Sequence, residues 1–206
     1  MKRIAVLASG RGSNFQALID ALQRGEIPAT CVGLITDNKN AYAITRAREA
    51  GIPVYVIDFT GYPGKEEYEA ALLATMRDLR ADLYVLAGYM RILGAGIVRD
   101  FHGRIMNIHP ALLPSFAGLH AQRQALSYGV RVSGCTVHLV DEGMDTGPII
   151  VQACVPVLDG DDEEHLSKRI LAEEHRCLPL AVRLFCEDRL LVEGRRVIIS
   201  KGGHAA

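Results

Sequence analysis

Neither sign of charge dominates this chain: 23 Lys and Arg stand against 24 Asp and Glu, for a net charge of -1. Without a basic excess there is no footprint for nucleic acid, and without a basic amphipathic stretch there is none for a membrane surface. Long hydrophobic runs are also missing. The apolar stretches are strand-sized, too short to span a bilayer. Met1-Lys2-Arg3 precedes one of them, but Ser9-Gly10-Arg11-Gly12 cuts it too short for a signal peptide. The five cysteines (Cys31, Cys135, Cys154, Cys177, Cys186) form no Cys-x-x-Cys and are odd in number, so they read as small buried hydrophobes in a reducing compartment. The seven histidines show neither His-x-x-x-His nor His-Glu-x-x-His spacing, so no metal site is expected. Together these absences point to a cytoplasmic protein with no nucleic-acid or membrane partner.

What is present is a core. With 49% apolar residues in 206, the chain suits one ordinary domain over residues 1–200, and no linker, repeat or low-complexity tract divides it. The tail 201–206 reads as disordered. The run Arg3 to Ala8 is continuously apolar, as in a strand covered on both faces. Ser13 to Gln23 follows with Phe15, Leu18, Ile19 and Leu22 at helical spacing. Strand patterns at 31–35, 54–57 and 83–87 alternate with helical ones at 41–50 and 65–79. Such β-α repetition implies an α/β fold with a doubly wound, mainly parallel sheet. The second half differs, with strands at 105–108, 132–140 and 149–157, then a long helix from about Asp162 towards Phe185 that contains Pro179. Leu190 to Val192 and Val197 to Ile199 look like a terminal hairpin, an antiparallel element in the C-terminal half.

Three segments carry chemistry. Asn107 and His109 end an apolar run two residues apart, so in an extended chain they project to one face. Asp145, 36 residues after His109, lies in the loop Asp141-Glu142-Gly143-Met144-Asp145-Thr146-Gly147-Pro148. An amide donor, an imidazole and a carboxylate able to orient and charge it suit transfer of a carbonyl group. Taken singly, His109 could be fixed structurally before Pro110, and Asp145 could serve turn chemistry. The loop Ser9 to Phe15 follows the first strand, where glycines and helix N-H groups receive phosphate. It is neither a Walker loop nor a dinucleotide fingerprint, because Phe15 takes the third glycine position. Its alternative is a tight turn capped by Ser13. Glu174 and His175 fall mid-helix, where a solvated face is the default.

Together the motifs Ala8-Ser9-Gly10-Arg11-Gly12-Ser13-Asn14, Leu86 to Leu93, Asn107 to Pro114, Gly118-Leu119-His120, Gly134 to His138 and Asp141 to Pro148 resemble the folate-dependent glycinamide ribonucleotide formyltransferases over nearly the whole chain, weakening after about Glu187. The resemblance implies the Rossmann-like formyltransferase fold. It assigns Asn107, His109 and Asp145 to catalysis, and Gly12, Ser13 and Asn14 to the phosphate of glycinamide ribonucleotide, with Glu174 at its ribose or amine end. The co-substrate would be a reduced folate, 10-formyltetrahydrofolate, with no metal. Met90, Arg91, Ile92 and Leu93 would bind its pterin through backbone groups and an apolar wall. Asp141, Glu142, Gly143, Met144 and Asp145 would form the opposite lip, with Asn107 also touching the folate and Lys65 near its glutamate tail. Two positions depart from the family pattern: Ala117 stands where many relatives carry proline, and Leu171 stands where some carry a polar residue.

The mechanism so implied has the substrate amine attack the formyl carbon while Asn107 and protonated His109 donate to the oxyanion. Asp145 pairs with His109 and helps move the amine proton to N10. His120 and His138 are supporting candidates. Methionyl-tRNA formyltransferases normally add a basic C-terminal domain and formyltetrahydrofolate hydrolases an N-terminal regulatory one, neither of which is expected here. Sugar-nucleotide formyltransferases should differ at Ser9 to Asn14, and a non-catalytic nucleotide-binding module would not need the trio. A monomer or a homodimer fits equally.

Overall fold

The computed structural model describes residues 1–201, so the tail expectation falls outside the described residues except at Lys201. The chain divides into two compact units, Met1–Met106 and the part from Asn107 onward.

In the first unit β1 (Lys2–Leu7), α1 (Ser13–Gln23), β2 (Ala29–Thr36), α2 (Ala43–Glu49), β3 (Val54–Val56), α3 (Lys65–Leu79), β4 (Leu83–Leu86) and α4 (Ala95–Asp100) follow in order, with a 3-10 turn at Phe59–Gly61. The strands lie in the order β3-β2-β1-β4, and β1 pairs in parallel with both β2 and β4. A parallel strand covered on both faces must be apolar throughout, and Ile4, Ala5, Val6 and Leu7 are fully buried. Phe15 and Leu18 of α1 and Leu72 and Met76 of α3 are likewise buried. The Tyr84 hydroxyl, buried in β4, donates to the Met76 carbonyl, which removes the cost of its burial.

The second unit begins within β5 (Ile105–His109) and continues through α5 (Ala121–Tyr128), β6 (Val132–Leu139), β7 (Ile149–Pro156), α6 (Glu163–Cys186), β8 (Leu190–Glu193) and β9 (Arg196–Ile199). Its strand order is β5-β6-β7-β9-β8, with β6/β7 and β8/β9 antiparallel and β7/β9 parallel. The fold is therefore α/β, mainly parallel, with the antiparallel element expected in the C-terminal half.

Helices α1 and α3 match the sequence pattern at both ends. Helix α2 starts two residues late, because Ala41 turns back to donate its N-H to the Asn38 carbonyl. Strand β2 starts early, drawn out by pairing of Lys2 with Ala29. Helix α6 runs through Pro179. Its buried stripe, Leu166, Ile170, Glu174, Cys177, Leu178 and Ala181, follows helical spacing and includes a carboxylate. Among the cysteines, Cys135, Cys177 and Cys186 are buried as expected, but Cys154 is exposed, since its β7 position faces outward.

Candidate active site

Strand β5 places Asn107 and His109 on one face, and β6 carries His138 just past an irregularity in its pairing between Val137 and His138. Asp145 sits in the turn before β7 with φ 55°, in the left-handed region. The Asp145 carboxylate meets both: Oδ2 is 3.4 Å from His109 Nδ1, and Oδ1 is 3.5 Å from Asn107 Nδ2. The His109 and Asp145 side chains are only 6% and 13% exposed, so their charges are little screened by solvent.

Main-chain groups fix each member of this trio. His109 Nε2 lies 2.8 Å from the Phe116 carbonyl, which can only accept, so Nε2 carries a proton and Nδ1 is the nitrogen left to gain or lose one. The Gly118 N-H donates to Asp145 Oδ2 at 2.8 Å. His138 Nδ1 donates to the Leu139 carbonyl at 2.9 Å, which leaves Nε2 to accept from Asn107 Nδ2 at 3.2 Å in the neutral ring. That Nε2 also stands 3.6 Å from Asp145 Oδ1.

These surroundings hold the Asp145 carboxyl at about 2, well below its ordinary 3.8. The largest cause is the hydrogen bond from His138, opposed by burial. The Gly118 N-H and the charges of His109 and His138 follow. The His138 contribution needs a proton on Nε2, whereas the Asn107 contact needs its lone pair, so the two belong to different protonation states of one ring. The Gly118 donation holds in both.

The other site residues sort by unit. In the first, Gly12, which has no side chain to cap with, occupies the cap position of α1 at φ 67°, ψ 33°, and Ser13 is the first helical residue. The capped-turn alternative for Ser13 is thereby corrected. A Cβ on Gly12 would lie 2.8 Å from the Ala43 Cβ, so glycine is required by space as well as by φ. Asn14 is buried. Met90 and Ile92 are 68% and 66% exposed while Leu93 is buried, so this segment presents alternate apolar side chains outward. Arg91 turns back: its Nε donates to Asp37 Oδ2 at 2.7 Å and its guanidinium lies 3.7 Å over the Phe59 ring. The Met90 N-H is taken by the Ser9 hydroxyl at 2.9 Å. Lys65 opens α3, exposed, 3.5 Å from Glu69.

In the second unit Asp141 closes its own loop, its Oδ1 accepting from the Gly143 N-H at 3.1 Å and the Thr146 hydroxyl at 2.6 Å. Glu142 and Met144 are exposed there. Glu174 is only 7% exposed, which corrects the default of a solvated face. Its spacing of four from Ile170 was the available signal. His120 caps α5 at φ 59° and is exposed, away from the role that His138 takes. The Phe116 and Gly118 main-chain contacts had no signal in side-chain identity.

Among the described residues no helix is long and apolar enough to cross a membrane. A family model described as formyl transferase matches residues 2–182. The phosphoribosylglycinamide formyltransferase of Mycobacterium tuberculosis is 45% identical over 199 residues, covering 97% of this chain and 92% of that protein. The trifunctional purine biosynthetic protein adenosine-3 of Drosophila pseudoobscura pseudoobscura is 49% identical over 92% of this chain, which spans only 14% of that protein's length. The crystal structure of glycinamide ribonucleotide transformylase 1 from Symbiobacterium toebii superposes with a TM-score of 0.94 at 52% identity, covering 97% of this chain and 94% of that one. On these matches the chain belongs to the formyl transferase family, among its phosphoribosylglycinamide formyltransferases.

Proposed function

We propose that this chain transfers the formyl group of 10-formyltetrahydrofolate to the amine of glycinamide ribonucleotide, in the cytoplasm, as a step of purine biosynthesis. The observation that carries this reading is the Asp145 carboxylate held ionised against both His109 and Asn107.

The neutral amine attacks the formyl carbon, a new C-N bond forms, and the carbonyl oxygen gains negative charge. His109 meets that charge through Nδ1, because its Nε2-H is committed to the Phe116 carbonyl. Asn107 has two N-H groups. One stays on His138, and the other, whose 3.5 Å contact with Asp145 is long, turns onto the oxyanion. Collapse breaks the bond from the formyl carbon to N10. Asp145 passes the proton lost by the amine to N10 through water, and its negative charge stabilises the imidazolium of His109.

For substrate binding, Gly12, Ser13 and Asn14 receive the phosphate, and Glu174 contacts the ribose or amine end. Met90, Arg91, Ile92 and Leu93 bind the pterin through main-chain groups and the outward side chains of Met90 and Ile92. Asn107 and residues Asp141, Glu142, Gly143, Met144 and Asp145 add contacts, and Lys65 serves the glutamate tail. The chemistry needs no metal ion. The chain acts as a monomer or homodimer.

The test is a spectroscopic assay of folate deformylation with and without glycinamide ribonucleotide. Product that forms only with the ribonucleotide, and is lost in His109→Ala, supports transfer. Product forming equally without it would mean hydrolysis of the folate instead.

A further inference from the structure

The loop Ser9 to Ser13 is shaped from behind by α2. The Ala43 N-H, at the start of that helix, donates to the Gly10 carbonyl at 3.1 Å. One turn later Arg46 Nε donates to the Arg11 carbonyl at 2.9 Å. In a trans peptide the carbonyl and the following N-H point in opposite directions. Drawing the Gly10 and Arg11 carbonyls towards α2 therefore turns the N-H groups of Arg11 and Gly12 away from it. Gly12, in the left-handed region, then leads directly into the first turn of α1. Among the described residues the N-H groups of Arg11, Gly12 and Ser13 meet no acceptor. Successive N-H groups so arranged form a concavity for an anion.

Arg46 braces this arrangement at a second point. Its Nη1 donates to Gln16 Oε1 at 2.8 Å, and Gln16 in turn donates through Nε2 to Asp20 Oδ1 at 2.8 Å along α1. The Arg46 guanidinium lies 5.0 Å from the Tyr42 ring centroid. One fork thus joins the loop carbonyl to the first turn of α1, and it also takes up a carbonyl that would repel an anion if it turned the other way.

We infer that Arg46 is a positioning residue for the phosphate of the substrate: it does not touch the phosphate but aims the loop amides at it by holding the Arg11 carbonyl. This rests on the proposed assignment of Gly12, Ser13 and Asn14 to that phosphate. The experiment is steady-state kinetics of the full chain and of Arg46→Ala, with glycinamide ribonucleotide and with its dephosphorylated ribonucleoside. Loss of a hydrogen bond that aims dipoles at a charged group should raise KM for the ribonucleotide about tenfold. KM for the folate and kcat should move by less than about twofold on the same grounds, because the contacts of Arg46 among the described residues run to Arg11, Gln16 and Tyr42 and not to residues 90–93. The preference for the phosphorylated over the dephosphorylated substrate should shrink by the same factor as KM rises, and inorganic phosphate should inhibit more weakly. Arg46→Lys, which keeps the charge but cannot span Arg11 and Gln16 together, should fall between wild type and alanine; it supplies the measurement if Arg46→Ala fails to fold. An unchanged KM for the ribonucleotide would overturn the inference, and so would an equal rise for both substrates. A wild-type enzyme indifferent to the phosphate would instead overturn the assignment of the loop itself.

Discussion

Replacing Asp145 by asparagine keeps the shape of the side chain and removes its charge, and the structure gives both consequences a size. The carboxyl titrates at about 2 when folded, against an ordinary 3.8. At about 1.4 kcal/mol per pH unit, the ionised group contributes at most about 2 kcal/mol to the folded state, the share from His138 being present only while its Nε2 carries a proton. The group is mostly buried, so solvent screening takes little of this away. Because the folded value is depressed, the contribution is fully present above about pH 4 and is lost as pH falls through about 2. Asp145→Asn should accordingly be less stable than wild type at pH 7 by up to about 2 kcal/mol, with the gap closing as pH falls from about 4 to about 2. Urea denaturation at a series of pH values measures this directly. For turnover, a charge 3.4 Å from His109 Nδ1 is worth about 1 kcal/mol in water and about 5 kcal/mol at an effective dielectric constant of about 20. A mostly buried pair lies between these bounds, so kcat should fall on the order of 100-fold. A variant as stable as wild type at neutral pH would show that the carboxylate is not satisfied by its neighbours, and near-normal turnover would remove it from the transfer step.

Asn107→Ala should lower kcat on the order of 100-fold with little change in KM for the ribonucleotide and a smaller rise in KM for the folate, which Asn107 also touches; single-turnover kinetics would locate the main loss in the chemical step. His138→Phe puts a somewhat larger apolar ring in the same buried place and removes both the acceptor that holds Asn107 Nδ2 and the neighbour of Asp145 Oδ1, so kcat should fall at least about tenfold, the equivalent of one hydrogen bond of about 1.4 kcal/mol. In Gly12→Ala a Cβ 2.8 Å from Ala43 and a positive φ combine to cost about 1–2 kcal/mol, lowering the melting temperature by several degrees and raising KM for the ribonucleotide. Gly147→Ala would place a Cβ 1.7 Å from the Leu139 carbonyl oxygen, between β6 and the loop that carries Asp145. Movement of backbone is the only relief, and a loss of more than about 3 kcal/mol, read as failure to accumulate folded protein, is expected.

The parts of the molecule legible in the sequence are those where side-chain pattern alone decides structure. Helices α1 and α3 are long and periodic, and their ends are marked by Gly12 and Gly64. The i, i+2 spacing of Asn107 and His109 places them together wherever β5 forms. Helices α4 and α5, six and eight residues long, are too short to show a periodic pattern. In α5 only Ala121 and Ala125 are buried, which leaves too little apolar area to register as a stripe. The charge of Glu174 implies a solvated face, whereas its spacing from Leu166 and Ile170 puts it on the buried one.

The deeper gap concerns the main chain. Each polar member of the trio owes its orientation to a backbone group: His109 to the Phe116 carbonyl, Asp145 to the Gly118 N-H, and Asn107, through His138, to the Leu139 carbonyl. Every residue except proline has such groups, so nothing in side-chain identity marks the ones that matter. What marks them is conformation. Phe116 and His120 hold φ of 56° and 59° and Gly118 holds 80°, so the segment that supplies two of these contacts is bent three times through the left-handed region within five residues. At Phe116 and His120 that bend carries a strain that tertiary contacts must offset. The Phe116 carbonyl and the Gly118 N-H reach the two ends of one ion pair only because the chain turns there. Gly118→Ala, which adds a Cβ 3.1 Å from Met144 Sδ at a φ unsuited to alanine, should therefore displace the N-H from Asp145. Asp145 would lose the donor that is independent of the protonation of His138, and its titration would move up towards the ordinary carboxylate range. An acid limb of the kcat profile that shifts to higher pH in Gly118→Ala, with wild-type KM for the ribonucleotide, would mark this backbone contact as part of the catalytic apparatus. An unshifted limb would reduce it to a turn.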